Sequence, residues 1–162
     1  MQGFKIWLLI GLPGCGKTTW LREVKGHKID DWGIRPGQWE EIDLAYKEGA
    51  PIYIGSIDFC DGPTLENFKR QCQHKYGQVH FEYTYFQNNP HKCAQNIISR
   101  SRLRGDHYIV VDGQTRMVGQ IFGGQPLWQL ELEKLFMLSE NYVVPDGYSP
   151  EGGQPVRTRN IL

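Results

Sequence analysis

The chain has 162 residues, 40% of them hydrophobic, and its 18 Lys and Arg residues balance 18 Asp and Glu residues. This length suits one domain with a substantial core and excludes a second large domain. The formal net charge of zero excludes attraction of nucleic acid by the molecule as a whole, so such contact would need a local basic patch.

The first predicted elements enclose a glycine-rich loop. The apolar run 4–10 predicts a buried parallel strand, and residues 18–24 predict the first turns of a helix. Residues 11–18 read G-L-P-G-C-G-K-T, which matches the phosphate-binding pattern G-x-x-x-x-G-K-[ST] in the strand, loop and helix context that this motif requires. The sequence therefore predicts a nucleoside triphosphate site.

Each part of this loop has a chemical role in the prediction. The glycines let backbone N–H groups surround a phosphate, Lys17 supplies a positive charge to the β and γ oxygens, and Thr18 offers a hydroxyl to Mg²⁺. The predicted nucleotide-binding residues are Gly11, Gly14, Cys15, Gly16, Lys17, Thr18 and Thr19.

Two carboxylates follow the first helix. Asp30 and Asp31 come after Ile29 at the end of a short predicted strand, and the turn-forming run 33–37 lies beyond them. An Asp at a strand end near the phosphate loop can accept a proton from a bound hydroxyl, and Asp30 is the first candidate for this role. The alternative is that both carboxylates only cap the turn before Gly33.

Helices and strands alternate through the middle of the chain. The patterns predict a helix over 38–48, a buried strand over 51–59 with Asp58 at its end, and a helix over 64–76 with Thr64 as N-cap and Gly77 as the C-terminal stop. An alternating segment, 79–86, predicts another strand. This order is typical of an α/β fold with a mostly parallel sheet.

The last third of the chain carries a basic helix and weaker patterns. The helix is predicted from 91 to about 102, and the patch around it contains Lys92, Arg100, Arg102 and Arg104. Residues 108–111 could form a strand and 115–122 a helix, while 126–138 could form a helix, although its alternate apolar residues would also suit a strand. We expect one domain over 1–144 and a basic tail rich in Gly and Pro over 145–162.

Cysteine usage and hydropathy predict the compartment. The four cysteines form no C-x-x-C pair and have no His spacing typical of zinc, so we expect ordinary reduced thiols. No apolar run approaches the roughly 20 residues of a membrane span, and the apolar N-terminal run leads directly into the phosphate loop rather than a signal peptide. The predicted location is the cytoplasm, without membrane contact.

These motifs together resemble the P-loop kinases of the polynucleotide kinase type, over roughly residues 4–120. The segment G-L-P-G-C-G-K-T-T-W-L-R-E is similar to that family's G-x-P-G-S-G-K-S-T-W-x-R-E, and the helix that ends in K-Y-G and the Arg-rich helix that ends in R-G also match. The resemblance implies a P-loop NTPase fold, a three-layer sandwich with a mostly parallel sheet and a short Arg-rich lid helix. It also implies ATP and Mg²⁺ as cofactors.

The resemblance implies roles for individual residues as well. Asp30 takes the place of the family's general base, Arg100 and Arg104 fall where its lid arginines lie, and Asp58 falls on its functional strand-end carboxylate. Asp112, which ends the apolar run 108–111, competes with Asp58 for the role of assisting Mg²⁺.

The acceptor side of the site departs from the family pattern. The family has an Arg three residues after the catalytic Asp, whereas this chain has Gly33 there and Arg35 two positions later. That Arg grips the acceptor phosphate in the family. The acceptor-binding candidates here are Asp31, Trp32 and Arg35.

Three functions remain open from the sequence. The first is a kinase for a hydroxyl on nucleic acid, either a polynucleotide 5′-OH or the hydroxymethyl group of a modified pyrimidine such as 5-hydroxymethyluracil in DNA. The latter would be as in the small phage kinases of thymidine hypermodification, which would act in the host cytoplasm. The second is a kinase for a nucleoside, nucleotide or other small alcohol, and the third is an ATPase or nucleotide-dependent switch.

Overall fold

The computed structural model describes residues 3–33, 36–103, 107–111, 114–118, 121–122 and 125–145. Three candidate residues, Arg35, Arg104 and Asp112, lie outside these ranges, as does the tail from residue 146 onward. Within the ranges, strands and helices alternate through the first hundred residues, as predicted.

A parallel sheet forms the centre of the fold. Within the described ranges its strands are β1 (Phe4–Ile10), β2 (His27–Ile29), β3 (Ile52–Ser56) and β4 (Val79–Tyr85), in the order β2-β3-β1-β4. All neighbouring pairs are parallel, and Ile6 of β1 pairs with Ile52 on one side and Phe81 on the other. Because β1 has strands on both sides and is covered on both faces, its sequence is almost entirely apolar. The predicted α/β class is confirmed.

The described part of the chain contains five α-helices, namely α1 (Lys17–Arg22), α2 (Gln38–Glu48), α3 (Gly62–Tyr76), α4 (Pro90–Leu103) and α5 (Leu127–Ser139). The predicted bounds of α2 are confirmed, and those of α1 and α4 differ by one or two residues at each end, as helix ends commonly do. Residues 126–138 are compatible with a helix or a strand from their sequence, and the structure has a helix from Leu127 onward, with Pro126 just before it. None of the helices in these ranges is long and apolar enough to cross a membrane.

The helices cover both faces of the sheet. Trp7 of β1 stacks on Tyr53 and lies 6.1 Å from the ring of Trp20 in α1. Phe4 has the opposite parity on the same strand, and its ring lies 5.3 Å from the rings of Tyr46 in α2 and Tyr76 in α3. Since side chains alternate across a strand, α1 lies on one face while α2 and α3 share the other.

The segment after β3 differs from its prediction. The strand predicted over 51–59 ends at Ser56, and a 3₁₀-helix over Ile57–Cys60 follows. The Ser56 hydroxyl accepts a hydrogen bond from the Asp58 amide at 3.1 Å, which satisfies that amide outside the strand ladder. Asp58 therefore lies within this turn and not at the end of the strand.

The N-cap of α3 was also predicted wrongly. Asp61, not Thr64, caps this helix, because its carboxylate accepts from both the amide and the hydroxyl of Thr64, at 3.1 and 2.6 Å. Pro63 then occupies the first turn, where its missing N–H leaves no bond unmade. Asp61 and Thr64 both have side chains that can cap a helix. The sequence alone did not show which of the two precedes the first helical residue.

The helix predicted over 115–122 is wrong. Residues Gln114–Val118 form β6, which pairs antiparallel with β5 (His107–Val111), and Ile121–Phe122 forms β7, which pairs with β8 (Gln125–Pro126). The strand predicted over 108–111 is confirmed as part of β5. The neighbouring strand β5 supplies backbone hydrogen bonds to β6. The pattern of a single segment does not show that such a partner exists.

All four cysteines are buried free thiols. Burial raises the pKa of Cys60, Cys72 and Cys93 from 9.0 to about 12, because the thiolate would lose its hydration. Each of these thiols therefore stays neutral in the folded protein at pH values where it ionises in the unfolded chain.

We expect the free energy of unfolding to fall as pH rises above about 9, because the unfolded chain then binds fewer protons than the folded chain. Each thiol contributes a slope of up to about 1.4 kcal/mol per pH unit. Urea unfolding at a series of alkaline pH values measures the slope. The Cys72→Ala variant should show a shallower slope than the wild type, and equal slopes would contradict the account for this thiol.

Candidate functional site

The phosphate loop leaves the sheet at its centre. It follows β1, which lies between β3 and β4, and it leads into α1. The connection after β1 passes over β3 to reach β2, whereas the connection after β3 passes over β1 to reach β4. Since these connections diverge at the carboxyl ends of β1 and β3, the loop lies where parallel α/β sheets bind ligands.

Two loop glycines are required by close contacts. A Cβ on Gly14, whose φ is +82°, would lie 2.5 Å from the carbonyl oxygen of Cys93 in α4, and one on Gly11 would lie 2.4 Å from the sulfur of Cys15. Asn96 of α4 is buried and donates a hydrogen bond to the Gly14 carbonyl at 2.8 Å. The backbone of α4 therefore packs directly on the loop.

Lys17 lies inside the loop and is only 6% exposed. Its ammonium group donates to the carbonyl oxygens of Gly11 at 2.5 Å and Leu12 at 2.9 Å, and it lies 3.3 Å from the Cys15 sulfur. The two carbonyl acceptors are neutral, so they satisfy the N–H groups without cancelling the charge. A positive charge held in this way in a partly dehydrated loop attracts an anion more strongly than it would in water.

Asp30 and Thr18 meet at the loop, as the strand-end prediction requires. The Thr18 hydroxyl in the first turn of α1 donates to Oδ2 of Asp30, just beyond β2, at 2.8 Å. Asp30 is half-buried, and the next residue, Asp31, is exposed and has a positive φ of 57°. A carboxylate and a hydroxyl in contact beside a cationic loop can share a divalent cation or take up a proton.

Gln38 holds the turn that follows these carboxylates. Its buried side chain donates to the Asp31 carbonyl at 3.1 Å and accepts from the Gly33 amide at 2.7 Å. Sequence reasoning did not single out Gln38. A polar residue at the first position of an amphipathic helix is commonly exposed, so the sequence gives no sign of a special role. The contact of Gln38 with the turn is visible only in the folded structure.

A cavity of about 710 Å³ opens over the loop, a volume typical of pockets for small ligands. Its walls include the loop residues 13–19, Asp31, Ile57 and Arg100. The far wall belongs to α5, which contributes Leu127, Leu130, Glu131, Glu133, Lys134 and Met137. No role was predicted for this helix, because its sequence carries an apolar pattern and no recognisable motif.

Arg100, the candidate lid arginine, lines the same cavity from α4. Its guanidinium is paired with the carboxylate of Glu131 in α5, and both side chains are mostly buried. In the described part of the chain the Nε of Arg100 is a buried donor without a hydrogen-bond partner. Because solvent does not reach this atom, the Nε is closed to the cavity, and the guanidinium meets the cavity through the rest of its surface.

Two further predicted site residues, Asp58 and Trp32, are not among the residues that line the cavity. Asp58 has a half-exposed side chain whose carboxylate lies 3.7 Å from Nζ of Lys134, and only Lys134 of this pair is among the residues that line the cavity. Trp32 is half-buried, and its ring packs at 5.0 Å from Trp39 and 4.9 Å from Phe68. Trp32 thus packs in an aromatic cluster between α2 and α3.

The segment after α5 is attached to the carboxyl end of the sheet. The Tyr142 hydroxyl is buried, contacts the carbonyl oxygen of Phe86 and lies 3.0 Å from that of Ile10. Burial raises the pKa of this phenol, so it remains a neutral donor. Asn88 donates to the carbonyls of Ser139 and Tyr142, at 3.0 and 3.1 Å. These bonds hold the end of α5 beside the loop.

No protein-family model matches this chain, and no curated protein matches its sequence. Within the described residues no group of three or more His, Cys, Asp and Glu side chains could hold a metal ion. Thr18 and Asp30 supply two oxygen atoms of the kind that hard cations take as ligands.

We expect Tyr142→Phe to lower the free energy of unfolding by about 1–3 kcal/mol, because it leaves a buried carbonyl without its hydroxyl donor. Urea unfolding measures the loss. The matched control is Tyr46→Phe, which removes a hydroxyl from a side chain that is 46% exposed. Equal effects of the two substitutions would show that the Tyr142 hydroxyl does not anchor α5.

Proposed function

We propose that this chain is an ATP-dependent phosphotransferase with a P-loop NTPase fold. It transfers the γ-phosphate to a hydroxyl on nucleic acid, either the hydroxymethyl group of a modified pyrimidine such as 5-hydroxymethyluracil in DNA or a polynucleotide 5′-OH. The strand order, with the loop-bearing β1 at the centre of a parallel sheet, supports the fold assignment. The sequence resemblance supports the choice of acceptor.

The observation that carries the proposal is the contact between Thr18 and Asp30. The hydroxyl expected to bind Mg²⁺ lies 2.8 Å from the carboxylate expected to serve as base. They are separated by twelve positions in the sequence and come from different elements, α1 and the end of β2. Phosphoryl transfer requires a metal ligand and a base within reach of the same phosphate, and this pair satisfies that requirement.

The residues of the loop fit a magnesium nucleotide. Lys17 and the backbone of residues 11–16 would hold the phosphates, Thr18 would ligate Mg²⁺, and Arg100, which lines the cavity, would direct its guanidinium charge at a phosphate oxygen. When bound, the magnesium ion supplies neutralisation of the charge on the phosphate oxygens. The apolar side chains Leu127, Leu130 and Met137 on the opposite wall suit a nucleoside.

The transfer itself needs little from the protein beyond positioning. The acceptor hydroxyl loses its proton to the Asp30 carboxylate while its oxygen bonds to the γ-phosphorus, and the bond from that phosphorus to the bridging oxygen breaks to release ADP. Lys17 and Arg100 provide positive charge on the side of the cavity where negative charge accumulates.

Transfer from radiolabelled ATP to a panel of acceptors tests the proposal. The panel contains 5′-OH oligonucleotides, DNA with 5-hydroxymethyluracil, unmodified DNA and free nucleosides. We expect label on one of the first two. Label on free nucleosides alone would instead indicate a small-molecule kinase, and hydrolysis without any acceptor would indicate an ATPase.

Two substitutions separate binding from chemistry. We expect Lys17→Ala to abolish transfer and Asp30→Asn to reduce turnover by about 10²-fold or more with ATP affinity retained, because Asn still accepts from Thr18 but cannot take a proton. Asp31→Asn is the comparison, since this neighbouring carboxylate lines the cavity, and it should reduce turnover less than Asp30→Asn does. Full activity of Asp30→Asn beside an inactive Asp31→Asn would reverse the assignment.

The ion pair between Arg100 and Glu131 generates a further prediction. We expect Glu131→Gln to tighten ATP binding by about fivefold, because it removes a negative charge from the cavity wall and frees the guanidinium for phosphate. Calorimetric titration measures the affinity. The control is Glu133→Gln, an exposed carboxylate on the same wall. Weaker binding by Glu131→Gln would mean that Glu131 instead positions Arg100 for the nucleotide.

A further inference from the structure

A second cavity, of about 410 Å³, lies between α2 and α3. It is lined by Trp39 of α2 and by Arg70, Gln71, His74 and Lys75 of α3, and it shares none of these residues with the cavity over the phosphate loop. No carboxylate is among the side chains that line it. We refer to this surface, Trp39 with residues 70, 71, 74 and 75, as the α3 groove.

The positive charge of the α3 groove is concentrated by helix geometry. Arg70 and His74 are four residues apart, as are Gln71 and Lys75, so all four side chains share one face of α3. The segment 67–76 contains no Asp or Glu, although the whole chain has as many acidic as basic residues. Cations near the end of a helix are favoured by its dipole, but Arg70 lies well before the last turn, so the dipole does not account for it.

Lys75 is held in place within the groove. Its ammonium lies 4.2 Å from the centroid of the Trp39 ring, within the range of a cation–π contact. The contact restricts the conformations of the Lys75 side chain, which is otherwise exposed. The side chain therefore loses less conformational entropy when an anion binds. Trp39 forms an aromatic wall of the same cavity, and its ring also stacks on that of Phe68, with the two centroids 5.8 Å apart, so this wall is fixed in position.

The α3 groove is connected to the phosphate loop through a short path. Trp39 packs at 5.0 Å from the ring of Trp32, and Trp32 directly follows Asp31, which lines the cavity over the loop. One ring contact and one peptide link therefore separate Trp39 in the groove from Asp31 in the wall of the loop cavity.

We propose that the α3 groove binds the phosphodiester backbone of single-stranded nucleic acid and leads the strand toward Asp30. Three basic side chains without a carboxylate among the lining residues are complementary to a polyanion, and a basic surface that includes an aromatic side chain is typical of single-strand sites. The role in guiding an acceptor rests on the proposed kinase function. Binding of the strand to the groove does not depend on it.

Fluorescence anisotropy with a labelled single-stranded oligonucleotide, without ATP, tests the proposal. We expect Arg70→Ala with Lys75→Ala to weaken binding by about tenfold and to reduce the slope of log affinity against log salt by about 1.4, as expected for two lost phosphate contacts on a single strand. The matched control, Lys5→Ala with Lys25→Ala, removes two exposed lysines outside the groove and should change binding little.

Several outcomes would overturn the proposal. These are no binding by the wild type, equal weakening by both double variants, or tighter binding of a duplex than of a single strand. The variant Arg70→Gln with Lys75→Gln keeps part of each aliphatic stem and must show the same loss of binding. The unfolding midpoints of all variants must match that of the wild type.

The two proposals can fail separately. If no acceptor is phosphorylated but the groove variants no longer bind the strand, the kinase proposal fails and the groove proposal stands. If transfer occurs and the groove variants bind the strand as the wild type does, the groove proposal fails and the kinase proposal stands.

Discussion

The carboxyl end of β1 is the point on which the rest of the structure depends. The Ile10 carbonyl accepts a hydrogen bond from the Phe86 amide at 2.9 Å and lies 3.0 Å from the Tyr142 hydroxyl. One residue later, the Gly11 carbonyl accepts from the buried ammonium of Lys17. These bonds join the end of β4, the segment after α5 and the phosphate loop to one buried strand end. Because such buried backbone groups must keep their partners, none of the three can move far without the others.

The chemistry of the site follows from this rigidity. The close approach of α4 to Gly14 and the bond from Asn96 keep the loop in one shape, so its charge is positioned before any ligand arrives. Arg100 and Lys17 approach one cavity from two different elements. The α3 groove contrasts with it, since its cations lie on an exposed helix face, where salt screens them more strongly. In the proposed function the two surfaces would have different tasks: the loop cavity would hold the phosphates in fixed positions, and the α3 groove would hold a polyanion on an open surface.

Local signals explain which elements were predictable. The predicted bounds of α2 were correct, because the signals for this helix are local. Its apolar spacing lies within the helix, and the glycine that ends it, Gly49, follows directly after it. The strand after it was predicted too long, because Ser56 satisfies the Asp58 amide in a way that apolar periodicity cannot indicate. The error over 115–122 is larger, since β5 and β6 exist only as a pair. Strand pairing depends on a partner elsewhere in the chain, and a single segment does not identify it.

The sequence by itself determined the α/β class, the phosphate loop and the candidates Lys17, Thr18 and Asp30, because each depends on a short pattern with a known physical meaning. Only the tertiary structure decided which distant residues complete the cavity. Glu131 and Lys134 reach it because α5 is attached beside the loop. Asn96 acts through a hydrogen bond to backbone far along the chain, and Gln38 acts through two hydrogen bonds to backbone across a turn. The α3 groove also needs two helices at once. The spacing of residues within one helix predicts which side chains share a face. The packing between helices determines which neighbouring residues that face contacts.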